Sequence, residues 1–135
     1  MLRTCALAVA VVCLPGVGKA QDSTNGSRST LEGVYTREQA NRGRDVYAGM
    51  CQSCHALASH TGVVFNNTWA GKPLSDLFAF VSEKMPKNEP GSLTREEYAQ
   101  VIAHILRLNG MPPGFDELPT DSLALHQIRI DVKKP

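Results

Sequence analysis

Hydrophobic and polar positions divide the chain into an apolar head, a polar lead-in and a series of segments with helical period. An apolar run from Cys5 to Leu14 follows Arg3. "QDSTNGSRSTLEGV" (21–34) is polar and rich in Ser, Thr, Asn and Gly, the composition of a flexible lead-in. A first helix is predicted from "TREQ" toward Cys51. Thr36 caps it, Gln39 completes a capping box, and Val46, Tyr47 and Met50 recur at helical spacing with Gly43 one turn before Tyr47. Residues 56–73, with "FNNTWAGKP", read as irregular. A second helix is predicted in "LSDLFAFVSEK", with Leu74, Leu77, Phe78 and Val81 on one face, ending before Pro86. "MPKNEPGS" reads as a loop. A third helix starts at Thr94 with Glu97 as its capping partner. It carries a stripe of Tyr98, Val101, Ile102, Ile105 and Leu106, and stops at Asn109 and Gly110 before Pro112 and Pro113. A short segment near "TDSLALHQI" can also be helical. No stretch alternates with period two, so the fold class is all-α.

A chain of 135 residues is one domain at most. The head "MLRTCALAVAVVCLPGVGKA" has the layout of a secretory signal peptide, with cleavage expected after Ala20. Its apolar run is short of the roughly 20 residues a membrane-spanning helix needs, and no later segment could span. Removal takes away Arg3, Lys19, Cys5 and Cys13. Of the 14 basic and 13 acidic residues, all the acidic ones stay, which makes the mature charge about −1. That balance argues against nucleic acid as a partner, since phosphate needs basic patches to neutralise it. Export to the periplasm implies protein or small-molecule partners.

The remaining cysteines lie in "GMCQSCHALASH" (49–60), where Cys51 and Cys54 are followed directly by His55. A redox disulfide usually sits among alternating strands and helices, which are not visible here. Structural zinc wants four ligands. Cys51, Cys54 and His55 supply three, and His60, His104 and His126 lack the usual paired spacing. Covalent haem attachment uses all three residues. Each thiol can add to one vinyl group, positions three and four apart share a helix face, and the imidazole can turn to the iron. A porphyrin would also enlarge the modest core of so short a chain. Phe65, Trp69, Phe78, Phe80 and Tyr98 are candidates to wall it, with Phe78 and Tyr98 better read as core. Trp69, read as a loop residue, needs a partner for its indole N–H, and a haem propionate is one candidate.

Residues 36–119 resemble a class I c-type cytochrome. "GRDVYAGMCQSCH" is similar to that family's first helix and haem motif, "MPKNEPGSLTREEY" to its methionine-bearing loop, and "EYAQVIAHILRLNG" to its last helix. The resemblance implies three to four helices wrapped around one covalent haem c, with the first and last helices crossing at Gly43. It implies attachment through Cys51 and Cys54, and iron held by His55 and a methionine. Met85 is the expected methionine, in a loop stiffened by Pro86. Met50 is tied to the attachment helix, and Met111 follows a helix end expected to point away. His60 and His104 are the non-methionine alternatives. Two positions differ from the usual pattern. His104 stands where many members carry an aromatic, and the proline often found soon after the haem motif is missing.

The expected domain order is 1–20 signal peptide, 21–35 lead-in, 36–119 cytochrome domain and 120–135 C-terminal extension. The expected role is a periplasmic one-electron carrier, not an enzyme, acting as a monomer or an enzyme-associated subunit. "WAGKPLSDLFAFV" and "MPKNEPGSL" also look like cytochrome modules associated with exported quinoprotein dehydrogenases, which implies a redox protein partner of that class. The alternatives are a tightly bound electron-entry subunit of such a dehydrogenase, or a haem enzyme or gas sensor with an exchangeable sixth ligand.

Overall fold

Two helices of equal length form the frame. The computed structural model describes residues 27–133, so the expected signal peptide, and with it the cleavage point, lies outside the described residues. Helix α1 (Arg37–Met50) and helix α4 (Arg95–Leu108) pack directly on one another. Between them in sequence come a 3₁₀ turn (Leu57–His60), α2 (Gly62–Trp69) and α3 (Leu74–Lys84). Helix α5 (Ser122–His126) lies against α3. Strands β1 (Arg28–Ser29) and β2 (Ile128–Arg129) pair in parallel. Among the described residues the architecture is mostly helical, as the periodicity predicts, with five α-helices where the resemblance implied three to four. No helix among the described residues is long and apolar enough to cross a membrane.

The α1–α4 contact is set by a glycine. A Cβ built on Gly43 would lie 1.7 Å from the Gln100 carbonyl oxygen of α4. Only hydrogen fits there, so the two backbones approach where the resemblance implied they would. Helix α4 presents its expected stripe to the interior: Tyr98, Val101, Ile102 and Leu106 are all at most 2 % exposed. Its N-terminus carries the predicted reciprocal cap. Thr94 N–H donates to Glu97 Oε2 at 2.8 Å and Glu97 N–H donates to Thr94 Oγ1 at 3.2 Å. Gly110, at φ +76°, turns the chain out of the helix.

Three expectations need correction. The stretch 56–73 is largely helical rather than irregular. Gly62 and the Asn66–Asn67 pair are weak helix formers, but Phe65 is buried and Trp69, one turn on, packs against the core. Tertiary packing overrides propensity here. At α1, Thr36 Oγ1 does accept from Gln39 N–H, yet the Gln39 side chain does not close a capping box. It is buried and exchanges two hydrogen bonds with the Leu118 backbone, at 3.0 and 2.7 Å.

The third correction concerns the ends. Of the expected lead-in 21–35, Thr30, Gly33, Val34 and Tyr35 are buried, with Val34 and Tyr35 at most 1 % exposed. The Tyr35 hydroxyl donates to the Met111 carbonyl at 2.7 Å. Thr30 Oγ1 both donates to the Asp131 carbonyl and accepts from its N–H, each at 2.9 Å. The expected extension after residue 119 likewise buries Leu125, Ile128 and Ile130. Ile130 bonds to the α2–α3 connection through Gly71 N–H and the Lys72 carbonyl. The polar lead-in conceals anchors, Thr30 and Tyr35, whose partners lie 101 and 76 residues away, which local pattern cannot show.

Candidate haem-binding site

The C-x-x-C-H segment continues the end of α1 as a tight turn. Cys51 N–H donates to the Tyr47 carbonyl at 2.9 Å, Cys54 N–H to Cys51 at 3.1 Å and His55 N–H to Cys51 at 3.0 Å. This bonding gathers both thiols and the imidazole at one helix end. Cys51 is half-buried, and burial pushes its thiol above the usual value, while Cys54 is exposed. The Tyr47 hydroxyl, in the α1–α4 interface, donates to the His55 carbonyl at 3.2 Å and so ties the turn to the helix frame.

Cys51, Cys54, His55 and Met85 all border one open cleft of about 880 Å³, solvent-facing mouth included. Val101 and Ile105 of α4 form part of its wall, with Phe65 and Trp69 of α2 and Leu77 of α3. Met85 follows α3 as its C-cap in extended conformation, as expected of a residue before proline. Its backbone is held twice: Met85 N–H donates to the Val81 carbonyl at 3.0 Å, and its carbonyl accepts from the Tyr98 hydroxyl at 2.7 Å. Met111, in contrast, is 2 % exposed in the core and does not border the cleft.

The cleft suits a large flat apolar group. Met50, Val64 and Phe80 border it, yet each is more than 40 % exposed. Three large, exposed apolar side chains bordering one concavity make a cradle that a porphyrin face would cover. Two thiols and an imidazole on its edge are the donor set that covalent haem attachment needs.

Residues 38–105, half of the chain, match the family described as cytochrome c oxidase, cbb3-type, subunit III. The chain belongs to this family of c-type cytochromes. The oxidase in that description is said of the family; what carries over to this chain is the cytochrome c domain. A c-type cytochrome carries covalently bound haem c, and its chemistry is haem-based electron transfer with redox partners. No curated protein and no solved structure matches the chain.

The structure gives places to the other candidates that the sequence named. His60 borders the cleft, its ring 4.7 Å from that of His55 between centroids. Burial, and then the neighbouring His55, push its pKa down. Asn109 bonds the turn that carries it. His104 is 5 % exposed and does not border the cleft. It packs 5.5 Å from the Tyr47 ring, with Nδ1 3.1 Å from an Arg107 nitrogen, so it is a polar helix-packing residue. Trp69 is not the loop residue expected. It ends α2, half-buried, with the Lys72 ammonium 5.2 Å over its ring and Phe80 beside it. Phe78 and Tyr98 are core, as expected, at 4 % and 2 % exposure.

Proposed function

We propose that the protein is a periplasmic one-electron carrier, in which Cys51 and Cys54 would attach haem c and His55 and Met85 would hold its iron. The observation that carries this reading is the shared cleft. Two segments 30 positions apart in sequence, the end of α1 and the loop after α3, border the same concavity. Met85 is favoured over Met111 because Met111 is in the core, where its carbonyl serves Tyr35. Met50 borders the cleft but belongs to the last turn of α1 beside Cys51, on the attachment side. When bound, haem supplies an iron that exchanges one electron between ferric and ferrous states.

The chain's own residues prepare that exchange. Tyr47 fixes the backbone of His55 and Tyr98 fixes that of Met85, so both ligands are presented by held segments and little ordering entropy remains. As an iron ligand beside His55, the soft Met85 thioether would favour the ferrous state and raise the potential. The apolar rim of Met50, Val64 and Phe80 excludes water from the group. The electron would come from a reduced protein donor and go to an oxidised protein acceptor, with no substrate bond made or broken. Residues 1–20 are the proposed export signal. The proposed donor is an exported dehydrogenase of the quinoprotein class, met either by a free carrier or by a bound subunit.

The ligand test compares Met85→Ala with Met111→Ala in the haem-loaded protein. The long-wavelength methionine–iron charge-transfer band should disappear, and the potential fall steeply, only in Met85→Ala. The opposite result would transfer the role to Met111. Carbon monoxide binding by the wild-type protein would favour a gas-sensing or enzymatic site instead. Intact mass of the same preparation should correspond to a chain from about residue 21 plus one haem.

A further inference from the structure

His60 borders the same cleft as the C-x-x-C-H motif, and the ligand set above does not use it. Its ring stands 4.7 Å from that of His55 with an interplanar angle of 57°. The Tyr47 ring packs edge-on against His60 at 5.9 Å, while the Tyr47 hydroxyl holds the His55 carbonyl. Three side chains therefore form one packed group around the motif. The turn carrying His60 is also anchored to α4. Asn109, the C-cap of that helix, donates from Nδ2 to the His60 carbonyl at 2.9 Å and accepts from Gly62 N–H at 3.0 Å. One side chain thus pins the backbone on both sides of Thr61.

A histidine that binds metal through one ring nitrogen almost always donates its other N–H to an acceptor, which orients the ring and raises its basicity. Among the described residues, His55 is hydrogen-bonded through its backbone, from its N–H to Cys51 and at its carbonyl by Tyr47. Neither of its ring nitrogens bonds another described residue, which leaves the ring N–H available to an acceptor. A neutral imidazole offers one donor and one acceptor nitrogen. The second torsion of histidine is broad, so the 4.7 Å separation leaves the two rings free to reorient toward a shared hydrogen bond.

We propose that His60 is a positioning residue for His55, accepting the hydrogen on the His55 ring nitrogen that does not hold the iron. The inference rests on His55 as an axial ligand. Accepting that hydrogen makes the His55 ligand more electron-rich, which favours the ferric state. Loss of the acceptor should therefore raise the reduction potential.

The test uses His60→Phe and His60→Gln in the haem-loaded protein. His60→Phe keeps an aromatic ring against Tyr47 and removes the acceptor, while His60→Gln keeps an acceptor and removes the ring. Potential, ferric low-spin electron paramagnetic resonance and melting temperature are measured for each. The expected result is a raised potential and an altered resonance signature in His60→Phe alone. His60→Gln should stay close to wild type in both, even where it melts lower. A wild-type potential and signature in His60→Phe would overturn the inference, as would shifts in both variants that simply follow their loss of stability. A wild-type spectrum without His/Met-ligated low-spin iron would overturn the ligand reading itself, and the inference with it, before any His60 variant is compared.

Discussion

Replacing Gly43 with alanine should destabilise the protein, although the same change on an open helix face would stabilise it. The added Cβ would sit 1.7 Å from the Gln100 carbonyl oxygen and 2.3 Å from its carbon, both backbone atoms of α4. Neither can rotate away as a side-chain tip could, so α1 and α4 must part by well over an ångström. Overpacking a close contact costs about 1–3 kcal/mol. Separation also loosens the packing of Tyr47, Val101 and Ile102, and a gap of about 0.5–1 Å already forfeits a quarter to a half of each dispersion contact. The upper end of that range, about 3 kcal/mol, is therefore the appropriate figure. Removing a helical glycine returns about 1 kcal/mol, which leaves a net loss of about 2 kcal/mol. In a domain of this size that lowers the melting temperature by on the order of 10 °C. Gly49 supplies the control, since it lies on the same helix with nothing within 4 Å of its Cβ position. Gly49→Ala should be neutral or stabilising by up to about 1 kcal/mol. Thermal and urea melts of the haem-loaded proteins, followed by circular dichroism, read both. A Gly43→Ala midpoint at or above wild type would refute the close-crossing argument.

Other outcomes test other parts of the structure. Tyr35→Phe leaves the buried Met111 carbonyl without its donor and should cost about 1–3 kcal/mol in a urea melt; an unchanged midpoint would mean that the segment before α1 adds nothing to stability. Burial, reinforced by Arg107 and Arg44 and opposed by Asp45, holds His104 below its ordinary pKa of 6.5. The unfolded chain then binds more protons as pH falls through about 6.5, so stability declines from there toward the lower folded value. Wild type should therefore lose more melting temperature than His104→Gln between about pH 7.5 and 5.5, and equal losses would contradict the assignment. Lys72, Lys84 and Lys87 alternate with Asp76, Glu83 and Glu89 around α3 and the loop after it, and mixed signs blunt long-range steering. Electron-transfer rates with a protein donor should fall only modestly between low and physiological salt, and a steep fall would show that one sign dominates the docking face.

The elements that local physics can specify were legible in the chain itself. Helix α4 carries its capping box, its apolar stripe and its Asn-Gly stop within 17 consecutive residues, 94–110. Pro86 marks the end of α3 at the residue before it. The spacing of Cys51, Cys54 and His55 is likewise local, because a single helical turn brings positions three and four apart together. Gly43 was recognisable as a crossing point through resemblance, but only the tertiary structure shows the Gln100 carbonyl that forbids a side chain there.

What the sequence could not convey depends on residues brought together from far apart. Helix α2 forms across poor helix formers because the core accepts Phe65 and Trp69. Gln39 gives up its local cap for the Leu118 backbone, 79 positions on, and Thr30 finds Asp131 at a separation of 101. His60 comes to face His55 because Asn109, 49 residues later, holds its turn. The sequence alone determined helices α1, α3 and α4 and the C-x-x-C-H motif, since caps, periodicity and spacing act within a turn or two of chain. The tertiary structure decided which polar groups are buried, where the ends pack and what surrounds His55. Those outcomes depend on desolvated hydrogen bonds and shape fit between distant segments, and neither leaves a periodic trace in the sequence.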